Sequence, residues 1–193
     1  MTGRLGSIAR VVDELSLRRE GFIRKNHLWN RDAGPFVDVI SIDMSKSRLS
    51  FDIACGVHDR DVYGSLWSPT EGFIDVPACT VRIGLGELSG EPSKIWDLAD
   101  DRAEGDVSGR LNAETLSWFL TMHDRASMAE FLRARSRVLI PAEIAQLAIL
   151  QHLSGDDAGA CRTLAENRSR ALGLWQSTFD DLAKQFSCVT SEP

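Results

Sequence analysis

Leu49, Phe51, Ile53, Cys55 and Val57 occupy every second position of the stretch 49–57, with Ser50, Asp52, Ala54, Gly56 and His58 between them. Successive side chains of a strand point to opposite sheet faces, so period two predicts a half-buried β-strand. We expect 49–57 to be a central strand of an antiparallel sheet. Phe36, Ile40, Ile42 and Met44 share one parity with Asp38, while Val37, Val39, Ser41 and Asp43 share the other. That predicts a second strand over 36–44. The stretch 22–31 reads as one strand of mixed faces, whose charges suit an edge. Cys79, Val81, Ile83 and Leu85 alternate with Thr80, Arg82 and Gly84, predicting another strand over 79–85. Turns are expected at 32–35 and 45–48, and a longer connection over 58–77 with exposed aromatics Trp67 and Phe73. Sequential strands on short turns argue for a meander rather than βαβ units.

The apolar period changes at both ends. Leu5, Ile8, Val12 and Leu15 recur every three or four residues, which predicts an amphipathic helix ended by Gly21. The segment 86–111 is polar and turn-rich, and 100–109 reads as a mobile loop. From Asn112, placed to cap a helix, the spacing is helical through Leu116, Phe119, Leu120 and His123. Ser127 and Glu130 read as a capping box. Pro141 opens a helix containing Ile144, Leu147, Ala148 and Leu150. The turn at 154–157 makes a helical hairpin about Gly155, and Cys161, Leu164, Leu172, Trp175, Phe179, Leu182 and Phe186 continue the apolar spacing. The fold class is therefore α+β: an N-terminal helix on a four- to five-stranded antiparallel sheet, followed by a C-terminal helical region. We divide one domain of 193 residues into 1–98 and a helical subregion, 112–188.

Charge and cysteine usage narrow the function classes. A formal net charge of -6 argues against general nucleic-acid binding, which needs a basic footprint. No stretch has the uncharged apolar length of a membrane span, and 1–7 lacks the apolar core of a signal peptide. Cys55, Cys79, Cys161 and Cys188 are widely spaced, which reads as reduced, buried thiols in a cytoplasmic protein rather than a disulfide pair.

Catalytic patterns are weak. Gly84-Leu-Gly86 lacks the third glycine and the following helix of a nucleotide cradle, and reads as a strand ending in a bend. Cys55, His58 and Cys79 have zinc-ligand chemistry, yet an odd separation puts Cys55 and His58 on opposite faces. Asp38, Asp43, Lys46 and Asp52 crowd one hairpin, as in a metal-dependent hydrolase or nuclease, but Asp38 and Asp43 differ in face. No Gly-x-Ser-x-Gly elbow is present. His123 and His152 sit where helix ends favour a cation. Arg133, Arg135 and Arg137 spread over a solvated helix surface. We expect no cofactor, no metal and no membrane or nucleic-acid partner. The expected partner is a protein. The sheet face opposite the apolar one would meet it, carrying Trp29, Asp43, Asp52, His58 and Arg82, with Trp67 from the connection.

Gly21-Phe22, basic Arg24 and Lys25, then Trp29 and Arg31, resemble the opening of a widespread bacterial domain family of unknown function. Its strand ending near a Lys-Ser turn and its apolar-Gly-apolar step resemble residues 40–47 and 51–57. The match covers about 15–58, under a third of the chain, and departs at Asp43 or Met44, where the family has glutamine. Similar domains occur beside secreted-toxin systems, which implies an immunity role in which binding neutralises a toxin. No catalytic residues come with the resemblance. The expected function is thus non-enzymatic protein binding, with the Asp38–Asp52 hydrolase hairpin and a scaffolding role for 112–193 as rivals.

Overall fold

The computed structural model describes residues 6, 8–10, 12–13, 17–69, 72–135 and 139–188, excepting the Ala113 side chain. The chain is α+β and forms two compact units, one of residues 1–60 and 70–121, the other of 61–69 and 122–193.

The first unit is built on an antiparallel sheet of order β1-β2-β3-β4-β5, with β6 also pairing β4. The strands are β1 (Ile23–Lys25), β2 (Leu28–Ala33), β3 (Phe36–Met44), β4 (Ser50–Asp59), β5 (Val81–Gly84) and β6 (Trp96–Asp97). The expected central strand is present, shifted by one residue at its start, and Leu49 is exposed. The single strand expected over 22–31 is instead a hairpin. Asn26 adopts φ 59°, a left-handed conformation asparagine tolerates, and folds β1 back on β2.

Register sorts the residues. Trp29 pairs with Ile40, Arg31 with Asp38, Ile42 with Ile53 and Ser41 with Ala54. One face therefore carries Trp29, Phe36, Ile40, Ile42, Phe51, Ile53, Cys55, Val57 and Val81, all buried. Placing Trp29 with Val37 and Val39 was wrong. The two-residue turn at Gly34-Pro35 pairs Ala33 with Phe36, which puts Trp29 across from Ile40. Trp29 is 0% exposed, and its Nε1 donates to Asp13 Oδ1 at 3.0 Å. Asp38 lies among these apolar groups because Arg31 bridges it at 2.7 Å, with the guanidinium 4.8 Å from the Phe22 ring centre.

Most of 100–109 is helical rather than a loop. α2 (Leu85–Leu88) follows β5, and α3 (Ala103–Arg110) runs through the expected mobile stretch into a π-helical segment, Leu111–Thr115, and α4 (Leu116–Met122). Gly105 and Gly109 disfavour a helix locally. Tertiary contacts override them: Ala103, Val107 and Leu111 are buried one turn apart, Trp96 Nε1 donates to Asp106 at 2.7 Å, and Arg110 joins Asp106 and Glu91. Asn112 lies inside this run, so it caps nothing. Gly84 ends β5 and Gly86 sits in α2, so the strand runs straight into a one-turn helix rather than the expected bend. A Cβ on Gly86 would stand 2.5 Å from the Glu91 carbonyl oxygen.

The second unit contains α1 from Asp61 onward (Arg60–Gly64), then α5 (Arg125–Ala134), α6 (Pro141–Leu153), α7 (Asp157–Asn167) and α8 (Leu174–Gln185). α6 is buried continuously from Glu143 to Gln151, as expected of a helix apolar all round. Pro141 is its first residue, and Gly155, at φ +84°, turns it into α7. The expected capping box is displaced: Asp124 caps α5, accepting from the backbone N and hydroxyl of Ser127. Trp67 is half-buried, its ring 4.9 Å from Tyr63 and 6.4 Å from Trp175. Leu5, Val11, Leu15 and Arg137 lie outside the described residues. Of the four cysteines, Cys55 and Cys79 are free and buried, while Cys161 and Cys188 form a disulfide. The reduced reading fails for that pair because α7 and the turn after α8 bring their Cα atoms to 5.5 Å, across 27 residues of sequence.

Candidate functional site

The second face of the sheet is divided. Over one half, residues 72–80 lie across it as a strap. Val37 and Val39 pack there with Ile74, Val76 and Cys79. Asn30 fastens the strap by imitating a strand, donating from Nδ2 to the Ile74 carbonyl and accepting from the Ile74 amide at 2.6 Å. Gly56 is the floor beneath Cys79, since a Cβ there would stand 2.6 Å from its sulfur. His58 is buried at this end, its Nδ1 2.8 Å from the Ala78 carbonyl. A carbonyl only accepts, so Nδ1 carries the proton. Burial lowers the His58 pKa and keeps it neutral.

The other half of the face is open. Asp43 and Asp52 stand directly opposite each other on β3 and β4, and both are exposed. Ser41 Oγ donates to Asp43 Oδ2 at 2.9 Å. No ion pair holds either carboxylate among the described residues. Partial burial, and after it the Asp43 charge, raises the Asp52 pKa. Leu28 and Ala54, next along the sheet, are half-buried against the strap cluster, and Lys25 stands over the Phe73 ring at 5.7 Å. Like charges facing across two strands disfavour the sheet. A cationic group between them would relieve that repulsion.

The residues expected at the site therefore part company. Asp43 and Asp52 come together. Arg82 is half-buried opposite Gly56, nearer the strap, and His58 lies under the strap. Trp29 lies on the other face, and Trp67 belongs to the second unit. Ser41, which holds Asp43, is not among the expected site residues, although the 37–39–41–43 alternation places it beside Asp43.

The rival chemistry is dispersed. Asp38 is on the apolar face, and Lys46 is exposed in the β3–β4 turn. Among the described residues, no three His, Cys, Asp or Glu side chains could hold a metal. Cys55 and Cys79 are on opposite faces, since Cys79 packs over the floor at Gly56 while Cys55 points the other way. Burial pushes the Cys55 thiol up to about 12, with a neighbouring Thr115 drawing it partly back, and raises Cys79 well above its usual value. Neither is a thiolate nucleophile at neutral pH. Among the described residues, no helix is long and apolar enough to cross a membrane.

The chain matches no family model, no curated protein and no solved structure.

Proposed function

We propose that the chain is a non-enzymatic binding protein whose open sheet half receives a basic segment of another protein. The observation that carries this is the exposed Asp43–Asp52 pair, two carboxylates face to face that no cationic side chain bridges among the described residues. An arginine or lysine of a partner fits between them, beside the Ser41 hydroxyl that donates to Asp43. A surplus of acidic groups, 28 against 22 basic ones, favours encounter with a basic partner and disfavours nucleic acid. The resemblance of residues 15–58 to a bacterial family implicated beside toxin systems makes the partner a toxin, and the protein a cytoplasmic immunity factor.

We also propose that the expected N-terminal amphipathic helix packs on the apolar sheet face. Helical backbone at Ile8–Arg10 and Val12, the burial of Ile8, Val12 and Leu17, and the Asp13–Trp29 hydrogen bond support this.

The test is copurification of the full chain with products of neighbouring genes, followed by toxicity assays. A complex that survives gel filtration and silences a toxin is expected. Toxins that stay fully active with the protein in excess would refute the reading.

A further inference from the structure

The second unit contains a bond that the binding face does not use. Cys161 lies on α7 and Cys188 just beyond α8, and both are partly accessible, whereas Cys55 and Cys79 are buried. The chain reaches Cys188 by a tight reversal. The Cys188 amide donates to the Ala183 carbonyl at 2.9 Å and the Ser187 amide to Lys184 at 3.0 Å, the two bonds of a glycine-type helix end. Here the left-handed position is filled by Ser187, at φ 56°, a conformation that serine disfavours. The preceding residue, Phe186, is buried and stacks on the His152 ring at 4.2 Å, at the last turn of α6. His152 in turn meets Asp157 at 2.6 Å.

α8 does not depend on the disulfide for its place. Phe179 and Leu182 are buried, and Arg168 grips Asp180 through both carboxylate oxygens at 2.7 and 2.8 Å. The bond thus bears most directly on one short segment, 186–188, where Ser187 holds a backbone conformation that serine disfavours. From this geometry we propose that Cys161–Cys188 is a redox-operated latch: reduction frees the turn at 186–188 and lifts Phe186 from His152, while the helical unit stays folded.

The exchange balances with a small thiol as reductant. Its thiolate attacks one sulfur, the other leaves as thiolate and takes a proton, and a second small thiol resolves the mixed disulfide. Two protein thiols and one small-molecule disulfide result. Oxidation by the same small disulfide runs the sequence in reverse.

The experiment is amide hydrogen exchange on the full chain, held in reduced or in oxidised glutathione, with the bond counted by intact mass after thiol blocking. Cys188→Ser is run beside it. Expected on reduction is exchange at least about tenfold faster over 186–188, and changed by less than about threefold over 144–151 in α6. Cys188→Ser should behave as reduced protein in both buffers. Equal exchange at 186–188 in the two states overturns the latch. So does loosening of 144–151 in step, which would make the bond a staple of the whole unit. Failure of oxidised glutathione to form the bond, or a redox response that survives in Cys188→Ser, overturns it as well.

Discussion

At the scale of single residues, the sheet separates two kinds of charge. Asp38 is fully buried, and Arg31 supplies its salt bridge across the strand pair. Arg31→Met withdraws the cation from both Asp38 and the Phe22 ring. We expect a loss of about 3–5 kcal/mol in denaturant unfolding, the usual cost of breaking a buried ion pair from one side. Asp52 is the opposite case. Its pKa is raised in the folded chain, so the native state binds more protons than the unfolded state between the usual aspartate value and the raised one. Stability therefore falls as pH rises through that window, and the deficit persists at neutral pH. Asp52→Asn should stabilise the protein at pH 7 by about 0.2–1 kcal/mol, the scale of a cross-strand like-charge pair. The gain should vanish below about pH 4, near the unfolded aspartate value. Melting curves at the two pH values check this.

At the scale of elements, the candidate face depends on a strap held by small residues and one amide. Gly56→Ala would drive a methyl into Cys79, against the strap packed on Val37 and Val39. We expect a loss of about 1–3 kcal/mol from overpacking, and faster exchange of the Ile74 amide that Asn30 holds. The β3–β4 hairpin was legible because alternation over 36–44 and 49–57 sets both strand type and face. Pro141 and Gly155 likewise marked the α6–α7 hairpin, since each suits one backbone position far better than other residues do. Three features were hidden for separate reasons. Asn26 broke the first strand without the glycine that normally signals a hairpin. The helix at 103–110 contains two glycines and is held by Trp96 and Glu91, distant groups that no local pattern reports. The disulfide joins cysteines on elements whose approach only packing decides. Trp29 was legible and misread: counting two residues in the Gly34-Pro35 turn places it opposite Ile40.

At the scale of the whole molecule, buried positions use up most reactive chemistry. Both free thiols are raised out of nucleophilic range, His58 is neutral and committed to Ala78, and Asp38 is committed to Arg31. Among the described residues, the exposed Asp43–Asp52 pair is a candidate left for recognition, which the proposed reading uses to bind a cation. Attraction between exposed charges is screened within about 8 Å at physiological salt, so binding through this pair must weaken as salt rises.

The most direct measurement is titration of the full chain, wild type and Asp43→Ala/Asp52→Ala, with whichever protein the copurification above recovers, at low and high salt. The account predicts at least about tenfold weaker binding by the double variant, roughly 1.4 kcal/mol, with undiminished melting temperature and a shallower salt dependence. Equal affinity and equal salt dependence in the two proteins would contradict it.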